Sequence, residues 1–85
     1  MSFRMKVEDL FRIGEKTVFT GTMETGEKAI SNALCAIEID GNRVEEIVIA
    51  GEVHTGKPYR DLWTASPVGL NREALGTHEV WLISA

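Results

Sequence analysis

Residues 34–53 read Leu34-Cys35-Ala36-Ile37-Glu38-Ile39-Asp40-Gly41-Asn42-Arg43-Val44-Glu45-Glu46-Ile47-Val48-Ile49-Ala50-Gly51-Glu52-Val53. Two runs rich in apolar and β-branched residues flank an Asp-Gly step, among the strongest short-range signals for a tight β-hairpin, because both residues tolerate positive φ. The spacing predicts strands over 34–39 and 44–53 joined around Asp40-Gly41-Asn42-Arg43. Ile47 and Ile49 share one parity while Val48 and Ala50 share the other. Such a strand is expected to be covered on both sides over part of its length.

Outward from this hairpin, the glycines separate further short apolar segments of strand length. Over 3–13, Phe3, Met5 and Val7 alternate with Arg4, Lys6 and Glu8. Leu10 and Phe11 are then adjacent, a change of phase that predicts a bulge near Asp9. Gly14-Glu15-Lys16 reads as a turn. Residues 17–23 form a second β-rich run in which Gly21 allows bending or close backbone approach. His54-Thr55-Gly56-Lys57-Pro58 reads as a loop, followed by a strand over 59–65 that ends before Pro67. Asn71-Arg72-Glu73-Ala74-Leu75-Gly76 combines an N-cap residue, helix formers and a terminal glycine, and predicts one helical turn. A last strand over 77–83 carries Val80 and Leu82 on one parity and Trp81 and Ile83 on the other, again as if buried on both faces.

The chain has 85 residues, 44% of them apolar and 26% charged, so a single globular domain over 1–85 is expected. No run of 18 apolar residues is present, and the first residues lack a secretory signal, so a cytoplasmic protein with no membrane contact is expected. Six evenly spaced short strands and no sustained helical period predict an all-β fold: a small six-stranded antiparallel β-barrel with one short helical turn, which leaves no open sheet edge. One cysteine, Cys35, excludes an internal disulfide. Set among apolar neighbours, it reads as a buried inert thiol.

No reaction chemistry is legible. Gly14-Glu15-Lys16-Thr17 imitates the tail of a phosphate-binding loop, but G-x-x-x-x-G-K-S/T requires glycine where Asp9 and Glu15 stand, and a carboxylate there repels phosphate. His78-Glu79 opens like H-E-x-x-H, yet the fifth residue is Leu82 and the segment reads as strand, where residues four apart do not make a helical ligand pair. No G-x-S-x-G elbow exists. No metal and no cofactor are expected, and the protein is not expected to be an enzyme. The net charge is −4, from nine Lys and Arg against thirteen Asp and Glu, which disfavours nonspecific attraction to nucleic acid. Any basic face must draw on Arg4, Lys6, Arg12, Lys16 and Lys28.

Aromatic residues are the remaining candidates for a binding surface, since Trp and Tyr combine large contact area with a polar handle. Trp63 and Trp81 sit in apolar strands and read as core or oligomer interface. Tyr59 follows Lys57-Pro58 at a loop edge beside Arg60, so Tyr59, Arg60, His54 and Lys57 form the candidate interaction surface. The expected partner is another protein or a second copy, with RNA as the alternative through base stacking.

Val7-Glu8-Asp9-Leu10-Phe11-Arg12-Ile13, then Thr17-Val18-Phe19-Thr20-Gly21 and Gly26, resembles the opening of the β-barrel domain that follows the GTPase domain in translation factors such as elongation factor Tu, where V-E-D-V-F-x-I and T-V-V-T-G recur. Residues 68–76 resemble, more loosely, that family's strand and helical turn before its last strand. The family's glycine before Thr-Val is here Lys16, and the turn is one residue shorter. A second glycine expected soon after Gly26 is replaced in the Ser31-Asn32 region. The resemblance implies a barrel. It also implies contact with transfer RNA or the ribosome, made in complete factors that carry a GTPase domain, which these residues do not contain.

Overall fold

The computed structural model describes residues 3–25, 30–53 and 59–84. The expected loop at 54–58, with His54 and Lys57, lies outside the described residues, as do Gly26 and Lys28. Among the described residues seven strands are formed: β1 Arg4–Ile13, β2 Lys16–Thr25, β3 Ala33–Ile39, β4 Asn42–Ile49, β5 Gly51–Val53, β6 Arg60–Thr64 and β7 Val80–Ser84. They make one sheet in the order β4-β3-β7-β1-β2-β6-β5, with every neighbouring pair antiparallel.

The count of seven corrects the expected six. The run expected as one strand over 44–53 starts earlier, at Asn42, and divides at Ala50, because its two halves take different partners: β4 pairs with β3, and β5 with β6. Ala50 marks the transfer, and its amide donates to the Trp63 carbonyl at 2.9 Å. Thr64, fully buried, donates its hydroxyl to the Val48 carbonyl at 2.6 Å, so the end of β4 already leans towards β6. Likewise the last strand begins at Val80, not 77, since Thr77 and His78 turn their amides back onto the Ala74 carbonyl.

Local chemistry explains the turns. Asp40 has φ of 51° and Gly41 of 85°, and Ile39 pairs with Asn42, giving a two-residue hairpin with both central residues left-handed. An alanine at Gly41 would carry a Cβ into that region. Gly41→Ala is expected to lower stability by about 1–2 kcal/mol, read from urea unfolding; an unchanged midpoint would contradict the left-handed conformation. The ladder of β1 slips between Val7 and Asp9, leaving Glu8 as the bulged residue. Without that extra residue Val7 and Leu10 would have opposite parity; with it both are buried. Asn71 accepts from the Ala74 amide and caps a 3₁₀ turn over Arg72–Gly76.

The inner face carries Met5, Phe19, Ile37, Ile49, Leu62 and Leu82, all with no solvent exposure. Each such side chain contributes about 1.5–3 kcal/mol by leaving water. Residues 65–71 run along this core and insert Leu70 into it. Arg12 holds the segment by donating to the Val68 and Leu70 carbonyls at 2.8 and 3.0 Å, while Glu45 accepts from the Gly69 amide.

The expectation of strands buried on both faces does not hold for β4. Ile47 and Ile49 are buried, but Val48 is 45% exposed. In β7, Val80 and Leu82 are buried, whereas Trp81 and Ile83 are only partly so. The described residues contain no second layer of helix or sheet to cover the outer parity.

Candidate functional site

Strand alternation sends Cys35 and Ile37 inward and sets Leu34, Ala36 and Glu38 on the outer parity, where Ala36 is nevertheless fully buried; the same rule applies to β4 and β7. Because β7 lies between β3 and β1, outward residues from four strands come into register. Glu46, Ala36, Ile83 and Arg4 form one cross-strand row, from β4 through β3 and β7 to β1. Arg43, Glu38, Trp81 and Lys6 form the next. On the other side Leu34 stands opposite Val48, with 51% and 45% of their surfaces exposed. Val44, displaced by the register shift between Ile37 and Glu38, is also exposed. The result is an outer face whose exposed apolar residues, Leu34, Val44 and Val48, lie on β3 and β4, with Glu38, Glu46 and Arg43 beside them and Arg4 and Lys6 on β1.

Two contacts order this face. The Arg4 guanidinium lies 4.2 Å from the centre of the Trp81 ring, close enough for cation–π attraction. The Trp81 indole donates to Glu79 at 2.7 Å. A second outer row, Phe11, Val18, Trp63 and Gly51, runs across β1, β2, β6 and β5. It is better filled: Val18 is buried, Lys16 sits 4.5 Å over the Trp63 ring, and a Cβ on Gly51 would come within 2.9 Å of the indole nitrogen. Neither tryptophan belongs to the core cluster.

The four residues chosen from sequence are not brought together. Tyr59 is about half exposed at the entry to β6. Arg60 shares the inward parity of Leu62, and its guanidinium makes a two-pronged pair with Glu52 at 2.5 and 2.6 Å. Their side chains are only 15% and 3% exposed. Glu52 bonds hold the Arg60 guanidinium above its usual range, so it stays charged within the fold. Arg60 is thereby committed to holding β5 on β6, and the Ile30 backbone amide donates a hydrogen bond to the same carboxylate. His54 and Lys57 fall outside the described residues.

Other polar groups serve local structure. The Asp40 carboxylate accepts from the Glu79 amide at 3.0 Å and contacts His78 Nδ1 at 2.6 Å. These bonds, the backbone one foremost, hold it below the usual carboxylate range and latch the hairpin tip to the approach to β7. A shallow polar groove of about 320 Å³ lies beside the bulge, between Lys6, Glu8 and the His78-Glu79 step. Its charges are mixed, and among the described residues no three His, Cys, Asp or Glu side chains gather as a metal site. Burial pushes the Cys35 thiol up to about 12, so it is neutral at physiological pH. Among the described residues no helix is long and apolar enough to cross a membrane.

Leu34, Val48 and the row from Glu46 to Arg4 were missed by sequence reasoning, although a signal existed. Apolar residues occupy both parities of β3, β4 and β7, and the outer parity is only partly covered: Ala36 is buried, whereas Leu34 and Val48 stand about half exposed. No family model matches the sequence, and no curated protein and no solved structure matches the chain.

Proposed function

We propose that the protein is a non-enzymatic binding module that recognises a protein surface through the outer face of β4, β3, β7 and β1. The observation carrying this reading is the pair Leu34 and Val48, two large aliphatic side chains directly opposite each other and half in water. Contiguous exposed apolar surface with a charged rim is the usual mark of an interaction site. The scaffold we propose is a closed barrel like that of the translation-factor domain the sequence resembles. In support, the outer strands β4 and β5 are consecutive in the chain and meet at Ala50, so the ribbon 42–53 belongs to both ends of the sheet. A protein partner is favoured over RNA, because the chain is acidic and the Arg60 guanidinium expected to flank a base on Tyr59 is bound to Glu52.

The test is capture of a partner from the source cell by the wild type and by the double variant Leu34→Glu, Val48→Lys. The opposite charges preserve a favourable cross-strand pair, so monomer stability is expected to shift by no more than about 1 kcal/mol. Loss of two aliphatic contacts is expected to weaken binding at least about tenfold. Full retention of the partner by a folded variant would exclude this face.

A further inference from the structure

We infer that Asp40-Gly41 is a modification site, the peptide link at which the chain rearranges to isoaspartate, and that the His78-Glu79 step guards it. The inference is separate from the binding role and goes beyond it. Among the eight glycines of the sequence only Gly41 follows an aspartate, and none follows an asparagine. The pairing matters because glycine has no side chain to hinder its own amide nitrogen from closing on the preceding carboxyl carbon. Asp40 and Gly41 are the two central residues of the β3–β4 turn and stand in solvent. A Cβ on Gly41 would meet nothing within 4 Å, so the space around it is open.

The step balances without an oxidant or a second reactant. The Gly41 nitrogen bonds to Asp40 Cγ, the Cγ–OH bond breaks, and the hydroxyl leaves with the amide proton as water. One water then opens the five-membered imide. Cleavage between nitrogen and Cγ restores aspartate, whereas cleavage between nitrogen and the former main-chain carbonyl carbon leaves the chain running through Cβ, with unchanged composition. The carboxyl reacts in its protonated form, since a carboxylate would have to expel oxide.

The fold opposes these requirements. Asp40 Oδ1 accepts from the Glu79 amide at 3.0 Å, Oδ2 lies 2.6 Å from His78 Nδ1, and the Asp40 amide donates to the Glu79 carbonyl at 2.8 Å. Both carboxyl oxygens are thereby held, and the bonds, that from the Glu79 amide first, keep the group ionised further into acid than usual. The grip is light, because the His78 and Asp40 side chains are 48% and 51% exposed. The guard therefore slows the rearrangement without abolishing it. An isoaspartyl link adds a backbone atom to a two-residue turn and is expected to release the hairpin tip from Glu79.

The test is prolonged warm incubation of the whole protein at neutral pH, with isoaspartate at residue 40 counted by peptide mapping and by methyl transfer from S-adenosylmethionine with an isoaspartyl methyltransferase. Protein held unfolded in urea gives the unguarded rate. Folded wild type is expected to react at least about tenfold more slowly, since the reactive geometry must be reached by local opening. His78→Ala, which frees one carboxyl oxygen, should react about two- to fivefold faster than wild type, the range one exposed contact commands. Arg72→Ala, which breaks a comparably exposed pair with Asp9, should match wild type. Absence of isoaspartate at residue 40 in the unfolded chain overturns the site. A His78→Ala rate equal to wild type, or an acceleration that Arg72→Ala shares, overturns the guard. Partner capture bears on none of these outcomes.

Discussion

Arg60→Met is expected to destabilise the protein by about 3–5 kcal/mol, because it removes a two-pronged cationic partner from a carboxylate that folding has taken out of water. Glu52 is 3% exposed at the side chain and reaches Arg60 through two short bonds. An 85-residue domain has a total stability of roughly 4–13 kcal/mol, so much of the variant should be unfolded at modest urea. The control is Glu52→Leu with Arg60→Met. Removing both charges of this pair together should recover most of the loss, as isosteric apolar pairs commonly do. Urea unfolding of the three proteins decides it. A single-variant loss under about 1 kcal/mol would mean that Arg60 is not what stabilises the Glu52 carboxylate.

Gly21→Ala should be nearly as damaging, with a loss of about 3 kcal/mol. Gly21 pairs with Val7 on β1 and with Arg60 on β6. A Cβ there would be driven into the Lys6 carbonyl, a backbone group fixed by the sheet, and would lie 3.2 Å from Met5 Cγ. The carbonyl comes close because the Glu8 bulge twists β1 immediately afterwards. Gly76→Ala is the matched control, since a Cβ there meets nothing within 4 Å; it should change stability by no more than about 0.5 kcal/mol. Equal effects at the two sites would contradict the close approach of β1 and β2.

Several of these features are written in short stretches of chain. Asp40-Gly41 marks a hairpin, the adjacent Leu10 and Phe11 mark a bulge, and Asn71 marks a capped turn, each for a reason within a few residues. Gly21 was legible as a place of close approach, though not which group approaches it. Arg60 was harder. Its parity with Leu62 points it inward, yet a charged side chain at a strand end reads as exposed until a buried acid is placed opposite it. Glu52 is that acid, and only the register of β5 on β6 brings it there. The outer face of β3 and β4 was misread for a similar reason. Apolar residues of both parities suggested strands covered on both sides, which holds at Cys35, Ala36 and Ile37 but not at Leu34 and Val48.

Local sequence alone thus decided the turns, the bulge and the apolar neighbours of Cys35. Each depends on the sterics of a few bonded neighbours or on apolar content. Tertiary structure alone decided that β7 lies between β3 and β1, and so that Glu46, Ala36, Ile83 and Arg4 share a row. The reason is that backbone amides and carbonyls are the same in every strand and cannot choose their partners. Burial of one common core makes that choice, and the outer face is assembled as its consequence.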